Sequence, residues 1–408
     1  KSLDYVTGWF IKTAEFIKAT SACGALVSTN SVCQGQQVPI LWPEMFRLGV
    51  KISFAHESFK WSNLASRNAG VTVIIVGLCD TSTQIIPKLY STDENMENKI
   101  REVSNINPYL IPATNLIIKP SKQPKNGLDH MVFGNMPRDE GHLLLSSNDM
   151  QELVSFEPSA AKFIRRYSGS EDFIHNKQRY CFWISEHQKK QASELKSINT
   201  RLNAVRAARQ QMKASSTQKF ADRPHRFVQI QGVAKTHSII VPCVSSENRS
   251  YFPVGLLNKD YIISNSAQAI YDSPIWNLAI LVSKLHLSWI ALVCGKLETR
   301  YRYSNTLGWN TFPVPKLTEK NKEDLRRCAE DILIARETHF PATIADLYKP
   351  EDMPQNLRDA HDRNDEVLER IYIGRHFKND TERVEKLFEL YSKMIKGDDL
   401  STNSKRLT

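Results

Sequence analysis

Residues 50–78 read VKISFAHESFKWSNLASRNAGVTVIIVGL. The block 71–78, VTVIIVGL, is the most apolar strand candidate in this part of the chain. A short β-branched run of that kind suits a strand buried on both faces. Residues 50–54 read as a second strand, and the polar stretch 56–63 (HESFKWSN) as a loop after it. No clear helix lies between these two strands, so they are expected to pair antiparallel. Upstream, residues 24–28 (GALVS) form a third apolar strand, followed by Thr29-Asn30-Ser31 as a helix start. Residues 37–48 look helical despite Pro39 and Pro43, and residues 2–19 place Tyr5, Phe10, Ala14 and Ile17 at helical spacing. Helix, strand, helix, strand, loop, strand is α/β organisation around a largely buried sheet.

Downstream the pattern changes. Residues 91–99 (STDENMENK) are charged and polar and read as a linker. Beyond them an α+β region is expected, with helices over 148–156, over 159–167 (carrying Arg165-Arg166) and over 191–214. Strands are expected over 179–184 and in four segments between 226 and 264. An apolar helix follows over 275–292. After Pro313 and Pro315 the chain turns helical, over 318–340, 353–372 and 380–396, with Thr318 as a helix cap. The tail carrying Lys405 and Arg406 is expected to be disordered. His361 and His376 have no carboxylate or cysteine cluster at ligand spacing and read as surface residues.

At 408 residues the chain should hold two or three domains. No apolar run approaches the roughly 20 residues of a membrane span. No secretory signal opens the chain, and it begins with Lys1, so a fragment is expected. The seven cysteines are scattered without a C-x-x-C pair, which points to reduced thiols in a cytoplasmic protein and no zinc or other metal site. The net charge is +10, and it is uneven. Residues 101–315 hold 27 Lys and Arg against 16 Asp and Glu, whereas 1–100 hold 9 against 8 and 316–408 hold 18 against 20. A basic middle between neutral neighbours implies a polyanion partner, usually nucleic acid; the alternative is a solvated basic surface.

Two stretches within that middle concentrate the charge. Residues 188–226 carry ten Lys and Arg against two Asp and Glu. Lys189, Lys190, Arg201, Arg206 and Arg209 there are candidates for a phosphate backbone, against the alternative of a solvated helix face. Residues 296–302 (KLETRYR) alternate strictly, with Lys296, Glu298, Arg300 and Arg302 on one side of an expected single strand. Arg bidentate to guanine and Glu accepting from cytosine are what base reading in a major groove requires. A solvated edge strand is the alternative.

Several runs are similar to the N6-adenine DNA methyltransferases, and more narrowly to the MmeI-like Type IIL restriction–modification proteins. They include LDYVTGWFIKTAEFI (3–17), ISFAHESFKWSN (52–63), FGNMPRDEGHLLLS (133–146), YRYSNTLGWNTFPVP (301–315) and IADLYKPEDMP (344–354). The resemblance implies three parts. Residues 1–95 would be the distal half of a Rossmann-like class I methyltransferase sheet, 100–315 an α+β target-recognition domain, and 316–400 a C-terminal helical region. It further implies double-stranded DNA as partner, S-adenosylmethionine as cofactor, and an upstream methyltransferase half, with or without a nuclease domain, in the same polypeptide. Phe59 would stack on the flipped adenine, with Trp61 as rival and Asn63 and Lys60 positioning the nucleotide. Glu298 with Arg300 would read one G·C pair, and Arg302 a neighbour. The family's Asn/Asp-Pro-Pro-Tyr/Phe tetrapeptide and glycine-rich cofactor turn do not occur in these 408 residues, so most of the cofactor site and the activity are expected to be missing. The other reading is a stand-alone specificity subunit serving a separate catalytic protein.

Overall fold

The computed structural model describes residues 3–61, 71–92, 98–297 and 299–404. Its first part is helix and sheet, as the patterning requires. Helix α1, Val6–Thr20, buries Thr7, Phe10, Ala14 and Ile17 and stops at Ser21, whose left-handed backbone lets its N–H reach the Ile17 carbonyl. Helix α2, Val38–Arg47, tolerates Pro39 because a proline in the first turn forfeits no helical hydrogen bond. Both helices lie on one face of a sheet built from β1 (Gly24–Thr29), β2 (Val50–Trp61), β3 (Val71–Asp80), β4 (Lys88–Thr92) and β5 (Asn98–Glu102). The strand order is β1-β3-β2-β4-β5, with β3 antiparallel to both of its neighbours. Ile74, Val76 and Leu78 of β3 are fully buried in the core that α1 and α2 cover.

Two expectations fail here. The polar stretch from His56 is strand, because β2 continues to Trp61 with a register irregularity between His56 and Phe59. The far end of β3 supplies the pairing edge that the polarity of the sequence hid. The ends of the expected linker, residues 91–92 and 98–99, are strand: β4 pairs parallel to β2, and β5 pairs antiparallel to β4 and carries the sheet on to Glu102, while residues 93–97 lie outside the described residues. Asn63 and the tail with Lys405 and Arg406 lie outside the described residues.

The basic middle takes part in three cores. One surrounds Phe163, Phe182 and Phe227, a small one holds Ile240, Ile263, Ala267 and Ala269, and the third merges with the first sheet and the C-terminal helices, running from Phe10 to Tyr391. Residues 159–167 are a 3-10 turn, Pro158–Phe163, followed by a strand, Ile164–Ser168, so Arg165 and Arg166 sit on a strand paired between Arg179–Phe182 and Tyr261–Ile263. The helix expected over 191–214 breaks at Leu195 into Lys189–Glu194 and Lys196–Gln211. Its cause is Glu157, whose carboxylate accepts the backbone N–H groups of Lys196 and Ser197 at 3.2 Å each and starts the second helix afresh. The apolar helix over 275–292 is also two, Trp276–Leu281 and Lys284–Val293, with the Ser283 hydroxyl capping the second. Thr318 forms a capping box with Asn321 at the start of Glu319–Glu337. The helices Gln355–Ile373 and Asp380–Ser404 follow.

His361 corrects another expectation. It is fully buried, stacked on Tyr251 at 4.0 Å, with Nε2 2.7 Å from the Tyr348 hydroxyl, and burial pulls its pKa well below the ordinary value. Its partners come from distant segments, so no local pattern announces them. His376 is exposed, as expected. Among the described residues no helix is long and apolar enough to cross a membrane.

Candidate nucleic-acid interface

The charged stretch 296–302 is a hairpin. Gly295–Leu297 and Arg300–Arg302 pair antiparallel, with Gly295 opposite Arg302, Lys296 opposite Tyr301 and Leu297 opposite Arg300. Residues opposed across a ladder share a face. Arg300 and Arg302 therefore share a face, whereas Lys296 goes with Tyr301 to the other one. The single alternating strand that put Lys296 beside the arginines is overturned by the antiparallel pairing of Leu297 with Arg300. Arg300 and Arg302 are exposed, and Glu298 lies outside the described residues. Beneath the hairpin the platform is dense: Tyr303 is buried, its hydroxyl 2.9 Å from His286 Nε2, and its ring packs on Phe252. On the other side Arg302 pairs with Val244. A charged tip on a packed base is the arrangement a reading element needs.

Phe59 stands at the end of the first sheet. Thr29 and Phe59 both pair with Val73, one from each side, so the three form a row across β1, β3 and β2. With strands about 4.8 Å apart, Thr29 and Phe59 are separated by about 10 Å. The Phe59 ring is half-buried, 4.8 Å from the His56 ring and 6.4 Å from Trp61, which is itself 46% exposed. Both aromatic candidates thus share one cluster. Lys60 pairs with Thr72 through its backbone.

Between the β1 end and the hairpin lies a cleft of about 680 Å³, lined by Thr29, Asn30, Gln34, Thr72, Lys296 and Arg302 among others. The chain closes around it at Gly35, where φ is +60° and an added Cβ would stand 3.2 Å from the Gly295 nitrogen. Gln34 has no signal in the sequence, whereas Asn30 lies in the run Ser28-Thr29-Asn30-Ser31, a strand end of the kind that binds ligands in α/β enzymes, for which shaping the turn is the expected role.

The basic segment divides. Lys189, Lys190 and Arg206 are exposed, Arg206 donating to Asn203 Oδ1 at 2.8 Å. Arg201 is half-buried and reaches the carbonyls of His142 and Leu144 at 3.2 and 3.3 Å, tying its helix to the neighbouring turn. Arg209 is a correction: it is fully buried, and its guanidinium donates to the carbonyls of Pro137, Arg138, Phe220, Arg223 and Arg226 at 2.7–3.1 Å. Desolvation lowers its pKa to about 10. It knots the fold together and has no face for a phosphate. Among the described residues no group of three His, Cys, Asp or Glu is placed to hold a metal ion.

Comparison with known proteins covers nearly the whole chain. Family models described as the MmeI DNA-methyltransferase domain, target recognition domain and C-terminal domain match residues 1–91, 112–316 and 317–397. DNA methyltransferase A of Bacillus subtilis (strain 168) is 39% identical over 394 residues, covering 97% of this chain and 44% of that protein. The solved structure of the Type IIL restriction–modification enzyme MmeI in complex with DNA superposes with a TM-score of 0.86 at 34% identity, covering 97% of this chain and 53% of that one. The chain thus spans about half the length of each of these relatives. With all three family segments matched in order, the chain belongs to the MmeI family, of which it carries a methyltransferase-domain segment, a target recognition domain and a C-terminal domain.

Proposed function

We propose that this chain is the DNA-recognition portion, with the distal part of the methyltransferase sheet, of a site-specific DNA methyltransferase of a restriction–modification system. The base methylated is adenine, at N6. The observation that carries the reading is the cleft that sets the Arg300–Arg302 strand against the β1 end, in the same sheet row as Phe59. Arg300, with Glu298, reads one G·C pair, and Arg302 lies at the cleft where the duplex backbone passes. Phe59 supports the extruded adenine, because a base taken out of the stack needs a flat side chain to hold it. Lys189, Lys190 and Arg206 follow the phosphates on the exposed side.

The sheet is the distal half of a Rossmann-like class I methyltransferase sheet. Two features support this. β1 is an edge of the described sheet, and Val27 on it is 55% exposed. On α1, Trp9 and Phe16 are 53% and 59% exposed, an apolar surface suited to an upstream half of the same polypeptide. S-adenosylmethionine does not fit the residues present. The cleft has no glycine-rich turn, and the carboxylate at its rim, Asp4, already accepts hydrogen bonds from Ser31 and Gln37. The cofactor is therefore held by the upstream half, and this chain alone transfers no methyl group.

The test is a methylation-site profile of the intact polypeptide on a randomised duplex library with S-adenosylmethionine. N6-methyladenine at one short asymmetric site is expected. Methylation of cytosine, or of adenine without regard to sequence, would overturn the reading. Activity appearing only when a separately encoded catalytic protein is added would favour the specificity-subunit alternative.

A further inference from the structure

The cleft at the β1 end holds features that base reading and adenine support do not use. Asn30 and Gln34 line it and are 7% and 9% exposed. Asn30 Nδ2 and Gln34 Oε1 are buried without a hydrogen-bond partner among the described residues. Buried amides are nearly always paired, so the unpaired Asn30 Nδ2 donor beside the cleft marks a place where an acceptor group of a ligand belongs, whereas the Gln34 oxygen is an acceptor that such a group does not satisfy. Across from them stand Lys296 and Arg302. Lys296 is half-buried, its ammonium 6.0 Å from the centre of the Tyr301 ring and within the field of Glu247; desolvation lowers its pKa.

The lining selects the ligand. It includes hydroxyls of Thr29, Ser31, Thr72 and Thr299, amides and two cations, and no aromatic or large apolar side chain. A base would find nothing to stack on there. The Asp4 carboxylate keeps its charge while accepting from Ser31 and Gln37, so the two cations leave the lining one positive charge in excess. A phosphate group, which only accepts hydrogen bonds, fits ammonium, guanidinium, hydroxyl and the Asn30 amide together.

We infer that this cleft is a phosphodiester site, in which one DNA backbone phosphate beside the extruded base lies between Lys296 of the hairpin and Asn30 of the turn after β1. The inference rests on the DNA-reading function proposed above and adds residues with no part in it, Lys296 and Asn30. One phosphate held from both sides fixes the distance between the reading hairpin and the sheet end that carries Phe59.

The experiment uses the intact polypeptide and its own selected duplex, prepared as a series with single neutral methylphosphonate linkages around the methylated base. The parent is expected to lose about tenfold in affinity at one linkage. Lys296→Ala should lose a similar factor on the ordinary duplex, flatten the slope of log affinity against log salt by about one, and lose nothing further at that linkage. Its methylation-site profile should match the parent's, and Lys296→Arg, which keeps the charge, should recover most of the affinity. Asn30→Ala should also lose affinity non-additively with that linkage, with the salt slope unchanged. Additive losses for Lys296→Ala at every linkage, or an altered site profile, would overturn the phosphate site while leaving the DNA-reading function standing. A parent without site-selective binding would overturn that function and this inference with it.

Discussion

Arg300 and Arg209 carry the same side chain in the same basic region and have opposite fates. Arg300 is exposed on a hairpin strand, while Arg209 is enclosed by five carbonyls. Replacing Arg300 with Ala should leave the thermal midpoint nearly unchanged and relax choice at one base position, a loss of about 1–3 kcal/mol of discrimination. An unchanged methylation-site profile would return the hairpin to a solvated edge. Arg209→Ala should instead destabilise the fold by about 3–5 kcal/mol, because buried acceptors are left unpaired. Urea unfolding measures it, and a shift under about 1 kcal/mol would contradict the burial argument. Phe59→Ala should slow methylation on saturating DNA by about tenfold or more with little change in affinity, since stacking acts after extrusion. Equal single-turnover rates would remove Phe59 from the site. The sequence could not rank these residues. Arg201, Arg206 and Arg209 share one basic helix, and the carbonyls that engage Arg201 and Arg209 include some 57 to 72 positions away.

At the scale of elements, apolar periodicity was a sound guide and polar stretches were not. α1, β1, α2 and β3 lie where their burial patterns put them. The errors fall where polar residues continue a strand, as in β2 and the β4–β5 hairpin, or where alternation runs through a turn, as in 296–302. The sequence between Leu297 and Arg300 holds no glycine or asparagine, so nothing local announces that these two residues pair. Helix breaks at Leu195 and Ser283 were hidden for a related reason, because their N-terminal groups are bonded by Glu157 and Asp365 from elsewhere in the chain. Element contact also yields a prediction at Gly35. Its positive φ and the 3.2 Å approach to Gly295 mean that Gly35→Ala must displace the hairpin or the turn after β1. Misplacement on the scale of 1 Å can lower a rate by up to about 100-fold. Single-turnover methylation should therefore fall well beyond any loss of DNA affinity, and parallel losses would show that the contact does not couple reading to chemistry.

The largest core runs from the first sheet to the last helix, with Phe10 and Tyr391 in the same cluster and Arg101 paired to Glu385 at 3.1 Å. Three segments legible in composition and charge are thus one packed body around the recognition platform, and charge counts could not reveal that. The same body presents Trp9, Phe16 and Val27 outward beside the β1 edge. An apolar helix face next to a strand at the edge of the described sheet is the surface that the proposed upstream half would cover. The cofactor prediction follows from this geometry. The glycine-rich turn and the catalytic tetrapeptide are absent from the 408 residues, and the cleft at the β1 end offers cations and amides suited to phosphate. Calorimetry on the 408-residue chain should therefore detect no micromolar binding of S-adenosylmethionine, while the same chain binds duplex DNA with an affinity that falls steeply with salt. Micromolar cofactor binding would move the cofactor site into this chain and require the cleft after β1 to be reassigned. Retained DNA binding without it would support recognition by this chain and a methyl-donor site outside it.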